Sequence, residues 1–173
     1  NESLIVMRMN RLQNFWEFLT VSRSNGKSTA GLTESDPNGW VDLHRNYRFL
    51  ENGNILWISE RTGWKHLFLH SKNGKLINQI TDGEWEVKRI VHIDENKNKI
   101  YFTSNKESVF ETRFYSINFD GSGLKLLTNE KGSHSIKVLP KGDSFIDSFS
   151  SLKQPQKHLL KDMNGKLIKV IAE

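Results

Sequence analysis

Short apolar runs alternate with clusters of glycine, asparagine and aspartate along the whole chain, and no helical spacing of apolar residues is sustained for three turns. The stretch from Trp57 to Val87 shows the pattern most fully. Ile55-Leu56-Trp57-Ile58 is an apolar, β-branched and aromatic run that ends at Arg61-Thr62-Gly63, and His66-Leu67-Phe68-Leu69-His70 is a second run. Ser71-Lys72-Asn73-Gly74-Lys75 then carries the residues that a left-handed turn requires, and Leu76-Ile77-Asn78-Gln79-Ile80-Thr81 returns as a third strand. Asp82-Gly83 punctuates before Trp85-Glu86-Val87 begins again.

The unit repeats. Gly26, Gly74, Gly121 and Gly165 each fall in a predicted hairpin turn, at intervals of 48, 47 and 44 residues, and Leu32-Thr33, Ile80-Thr81 and Leu127-Thr128 follow at 48 and 47. A period of about 40–50 residues with about four short strands per unit is the signature of propeller blades, whose small sheets bury their faces only against neighbours. The chain is therefore read as all-β, a partial β-propeller with about three complete four-stranded antiparallel blades and an incomplete first blade. The blade units run over residues 3–35, 40–82, 86–129 and 134–172 of a single propeller fragment, and the first lacks its innermost strand. Trp16, Trp57, Trp64, Trp85, Phe102 and Tyr115 recur at similar places in successive units and are expected to pack between blades.

Composition narrows the function. The 173 residues include no cysteine, so neither a disulfide framework nor a thiolate nucleophile is available. The net charge of +5 comes from 25 basic and 20 acidic residues that are interspersed rather than gathered on one stripe, which argues against a nucleic-acid partner. No apolar run approaches the ~18 residues that a spanning helix needs. The first residues lack the basic head and cleavage site of a signal peptide, and the chain reads as beginning within a longer polypeptide.

Motifs of chemistry are sparse. His66 and His70 would stand roughly 13 Å apart on a strand, too far to share an ion. Gly26-Lys27-Ser28 resembles the end of a phosphate loop, but Val21 stands where that loop needs glycine. Asp94, Asn96 and Asn98 alternate as in a calcium loop, but Lys99 and Asn105 replace its glycine and closing glutamate. No G-x-S-x-G elbow occurs, so no catalytic residue, metal or cofactor is expected in this chain. Trp40, His44 and Arg45 lie in the connection before an inner strand, where propeller loops line one mouth of the channel, and are the candidate substrate-face residues.

Arg8-Met9-Asn10-Arg11-Leu12-Gln13-Asn14, Trp40-Val41-Asp42-Leu43-His44, Ser59-Glu60-Arg61-Thr62-Gly63-Trp64 and Gly83-Glu84-Trp85-Glu86-Val87 occur in this order. They are followed by Ile100-Tyr101-Phe102-Thr103, Glu111-Thr112-Arg113-Phe114-Tyr115 and Lys131-Gly132-Ser133-His134. The series resembles the N-terminal propeller of bacterial dipeptidyl peptidase IV-like serine peptidases of the prolyl oligopeptidase family, over nearly the whole chain. In that family an eight-bladed propeller caps an α/β-hydrolase domain, and a propeller glutamate pair grips the substrate's amino terminus. This chain has no adjacent glutamate pair, so the resemblance places it in the later half of the propeller. Leu139-Pro140-Lys141-Gly142 departs from the family's usual Ser-Pro-Asp-Gly turn.

The resemblance implies a non-catalytic segment of a serine dipeptidyl peptidase. Its expected partners are a hydrolase domain of the same polypeptide and short peptides, and it suggests a periplasmic or extracellular place. The alternative is a free-standing propeller scaffold for a protein partner. A cut propeller should also expose apolar faces at both ends, through Ile5, Met7, Phe15 and Phe18 in the first unit and Ile136, Val138, Phe145 and Ile146 in the last, and so self-associate.

Overall fold

The computed structural model describes residues 3–42 and 46–172, and among them every regular element is a β-strand. The first sheet has three strands, β1 (Ser3–Met9), β2 (Phe15–Ser22) and β3 (Ser28–Ser35), in that order. The second has four, β4 (Tyr47–Phe49), β5 (Ile55–Ser59), β6 (His66–His70) and β7 (Leu76–Gln79). The third orders β8 (Val87–Asp94), β9 (Lys99–Ser104), β10 (Arg113–Asn118) and β11 (Lys125–Leu126), and the fourth β12 (Ser133–Val138), β13 (Ser144–Ser151), β14 (Gln154–Asp162) and β15 (Leu167–Ala172). Each strand pairs with its sequence neighbour, so each sheet is an antiparallel meander closed by tight turns.

Burial explains why the strongest runs lack alternation. Every residue of β5 and β6 is buried, and nearly all of β9 and β10, because central strands covered on both faces need apolar residues at successive positions. β12 is covered on one face only and alternates strictly, with His134 and Ile136 buried and Ser133, Ser135 and Lys137 outside.

Contacts divide the chain into two compact units. One holds the described residues up to Trp57 together with Phe68–Gln79, and the other Ile58–Leu67 with the residues from Ile80 onward. In the first, Trp16, Phe18, Leu32, Ile55 and Trp57 form the core, with the Trp16 and Trp57 rings 4.4 Å apart and Trp57 Nε1 donating to Glu34 Oε2 at 2.7 Å. In the second, Tyr101, Phe114, Leu127, Ile136, Phe145 and Met163 pack together, and Trp85, Phe102 and Tyr115 stack in file at 6.3 and 5.6 Å.

The sequence repeat has a physical basis in hydrogen bonds. Leu67 N donates to Thr81 Oγ1 at 2.9 Å and Ile80 N to the Leu67 carbonyl at 2.8 Å; one unit later Phe114 N donates to Thr128 Oγ1 at 3.0 Å and Leu127 N to the Phe114 carbonyl at 2.8 Å. The threonine thus takes over an N–H at the start of a central strand where the outer strand leaves it. The hairpin glycines meet the same segments. A Cβ built on Gly74 would lie 2.5 Å from the Gly31 carbonyl oxygen, one on Gly121 2.9 Å from that of Ile80, and one on Gly165 2.5 Å from that of Leu127. Each turn therefore abuts the residues just before, or at, the leucine or isoleucine of the preceding repeat, whereas Gly26 of the first sheet has open space around it.

Two expectations are corrected. Trp64 is not a core residue like Trp16 and Trp57: it lies in the turn before β6 and is 38% exposed. Nor are Phe18, Ile136 and Phe145 on open faces, because Phe18 packs on Trp57 within its unit, and Ile136 and Phe145 join the core around Phe114. The exposed apolar residues of the terminal strands are Leu4, Ile5 and Val6 of β1 and Leu167, Ile168, Val170 and Ile171 of β15.

Candidate functional site

The connection between β3 and β4 is built to hold Trp40 outward. Asp36 Oδ1 accepts from the backbone N–H groups of Asn38 at 2.8 Å and Gly39 at 3.1 Å, while Asp36 N donates to the Asn14 carbonyl at 3.0 Å. Val41 N donates to the Gln13 carbonyl at 2.7 Å, and the Val41 side chain packs against the Trp16–Trp57 core. Fixed on both sides, Trp40 is 77% exposed, which an indole does not reach when it serves a core. His44 and Arg45, the other two candidates, lie outside the described residues.

A second constellation escaped the sequence reading. Lys161 Nζ donates to Glu130 Oε2 at 2.7 Å and to Asp147 Oδ2 at 2.9 Å. Asp147 Oδ1 lies 2.7 Å from His134 Nδ1, and His134 Nε2 lies 2.9 Å from the Glu130 carbonyl oxygen. Both ring nitrogens of His134 thus have a hydrogen-bond partner, which fixes the ring in the cluster. His66 is likewise held at both ring nitrogens, with Thr81 Oγ1 3.1 Å from Nδ1 and the Gly83 carbonyl oxygen 2.9 Å from Nε2.

The legible signal was register. Alternation puts Asp147 on the buried face of β13 with Phe145 and Phe149, Lys161 on that of β14 with Leu159, and His134 on that of β12 with Ile136. Three ionisable residues at core positions of three adjacent strands must pair with one another. The candidate ligand atoms of Glu130, His134 and Asp147 lie within 4.8 Å of one another, spacing that could hold a metal ion. The Lys161 ammonium already bridges both carboxylates and both ring nitrogens of His134 are engaged, so the four side chains close on one another through their own hydrogen bonds.

Several carboxyls are held below their ordinary range. Burial pushes Glu130 up, but the hydrogen bond from Lys161, its own backbone and the Lys161 charge together outweigh it. The hydrogen bond from Lys97 lowers Asp94, that from Arg113 lowers Glu111, and that from the Ser122 hydroxyl lowers Asp120. A carboxyl whose folded pKa is depressed contributes stability above its unfolded value, lost as pH falls through the folded one. Stability to urea is therefore expected to be level near neutrality and to fall progressively below about pH 4, the ordinary carboxylate range. A urea midpoint that stays constant between neutrality and about pH 3 would contradict this.

Four successive antiparallel meanders of three or four strands are those of a partial β-propeller. The residue profile of the family described as "Dipeptidyl peptidase IV (DPP IV) N-terminal region" matches residues 1–156, and the chain belongs to that family. It is 27% identical over 172 residues to dipeptidyl peptidase 4 of Trichophyton rubrum, covering 96% of this chain and 22% of that protein. It is 30% identical over 165 residues to dipeptidyl peptidase 4 of Arthroderma otae, covering 92% of this chain and 21% of the relative. Among solved structures, Porphyromonas gingivalis dipeptidyl peptidase 4 superposes with a TM-score of 0.89 at 23% identity, over 98% of this chain and 24% of that one, which shows the fold. The chain thus spans between a fifth and a quarter of the length of these relatives.

Proposed function

We propose that this chain is a non-catalytic propeller segment of a serine-type dipeptidyl peptidase. Its units, residues 3–35, 40–82, 86–129 and 134–172, form part of a wall that narrows access to a hydrolase domain of the same polypeptide and helps to orient short peptides. Membership of the dipeptidyl peptidase IV N-terminal family over residues 1–156 is the observation that carries this reading. Trp40, with His44 and Arg45 beside it in sequence, is the substrate-facing group, supported by the exposure of an indole on a pinned connection. Exposed apolar side chains on β1 and β15 support contact with further sheets or with a second copy.

Steady-state hydrolysis of a proline-containing tetrapeptide, by the polypeptide that joins this chain to its hydrolase domain, tests the reading. Trp40→Ala is expected to raise KM about fivefold with little change in kcat, because a contact made equally in ground and transition states affects binding alone. An unchanged KM would remove Trp40 from the substrate path, and turnover by the 173 residues alone would overturn the non-catalytic assignment.

A further inference from the structure

Between the third and fourth sheets, within the second compact unit, lies an open hollow of about 370 Å³. That volume is at the lower end of small-ligand sites. Its wall is unusual in composition: Arg89, Gln156, the buried His134 ring and hydroxyls such as those of Thr103, Thr112 and Ser135 line it, and no carboxylate does among the described residues. Hydroxyls and amides serve either role in a hydrogen bond, but the one exposed formal charge is positive, so an anionic group is the matching ligand. Arg89 Nη2 donates to the Ile136 carbonyl at 3.2 Å, which aims the guanidinium while using one of its five N–H groups.

Phe110 adjoins the wall through its backbone. Phe110 is 89% exposed, yet its loop is tied down: Phe110 N donates to Ser108 Oγ at 3.3 Å, Glu111 N to the Ser108 carbonyl at 3.1 Å, and the hydroxyl of Ser133, itself a wall residue, to the Phe110 carbonyl at 3.4 Å. The nearby Glu111 carboxylate is already taken by Arg113 and by Gly132 N. A fork of donors meets a planar carboxylate two bonds at a time.

We propose that this hollow binds the carboxylate end of a short peptide, with Arg89 as the charged partner, the serine and threonine hydroxyls as neighbouring donors, and Phe110 as the platform for the adjoining apolar side chain. The assignment does not rest on the peptidase reading, since it is tested by binding without turnover. Isothermal titration of the protein with N-acetyl-alanyl-phenylalanine should show saturable binding, and the C-terminal amide of the same peptide should bind at least about tenfold more weakly. Arg89→Gln should remove that difference, and Arg89→Lys, which keeps the charge without the fork, should fall between. Phe110→Ala should weaken acid and amide alike. Both residues are exposed, so the variants are expected to keep the circular dichroism spectrum of the parent protein. The proposal is overturned if acid and amide bind equally, if inorganic phosphate binds as tightly as the acid, if Arg89→Gln leaves the acid unaffected, or if the acid shows no binding at about 10 mM.

Discussion

Asp147→Ala is expected to lower the free energy of unfolding by about 3–5 kcal/mol, the cost of leaving buried charge without its partner. Asp147 is fully buried and Lys161 is 3% exposed. The aspartate is the shared anion of the cluster, accepting from Lys161 at 2.9 Å and from His134 at 2.7 Å. Its removal leaves the buried Lys161 ammonium facing Glu130 alone, whose side chain is 36% exposed and so offers a weaker, partly solvated counter-charge, and leaves His134 Nδ1 without its partner. Urea denaturation followed by tryptophan fluorescence measures the change. Replacing Asp147, Lys161 and His134 together by apolar residues of similar volume should cost less than the single Asp147 change, because the cluster's desolvation disappears with its charges. A single variant with wild-type stability would mean that His134 and Lys161 find water or other anions in the folded chain.

Gly165→Ala carries the second large effect. Its backbone has φ +85°, where an L side chain costs about 1–2 kcal/mol, and the new methyl would lie 2.5 Å from the Leu127 carbonyl oxygen. Main chain cannot move aside as a side-chain tip can, so forced separation of the turn from the preceding repeat should add roughly another 1–3 kcal/mol. Gly26 is the internal control: at φ +68° it bears the same conformational cost with nothing within 4 Å, so Gly26→Ala should lose about 1–2 kcal/mol only. Equal losses at the two positions, measured in the same denaturation series, would show that the glycine period records turn conformation alone and not contact between repeats.

The sequence by itself determined the strands, the turns and their period, because these rest on local causes. Left-handed turns need Gly or Asn, central strands need unbroken apolar runs, and a one-sided strand such as β12 needs alternation. It also determined the family, since an ordered series of weak motifs such as Arg61-Thr62-Gly63-Trp64 and Gly83-Glu84-Trp85 is specific when no single motif is. It placed Trp40 correctly in a connection. Tertiary structure alone decided what the repeats do. The threonine of Ile80-Thr81 caps the N–H of Leu67, 14 residues back, and Gly165 meets a carbonyl 38 residues away, distances at which sequence spacing carries no geometry. It alone separated Trp64, left at the surface, from Trp16 and Trp57, which are the same residue type at similar places in the pattern. It also joined Glu130, His134, Asp147 and Lys161, which come from three strands and a loop. Alternation could mark the three strand residues as buried, but only the sheet register brings opposite charges within hydrogen-bond reach, because pairing across strands is a property of the assembled sheet and not of any one segment.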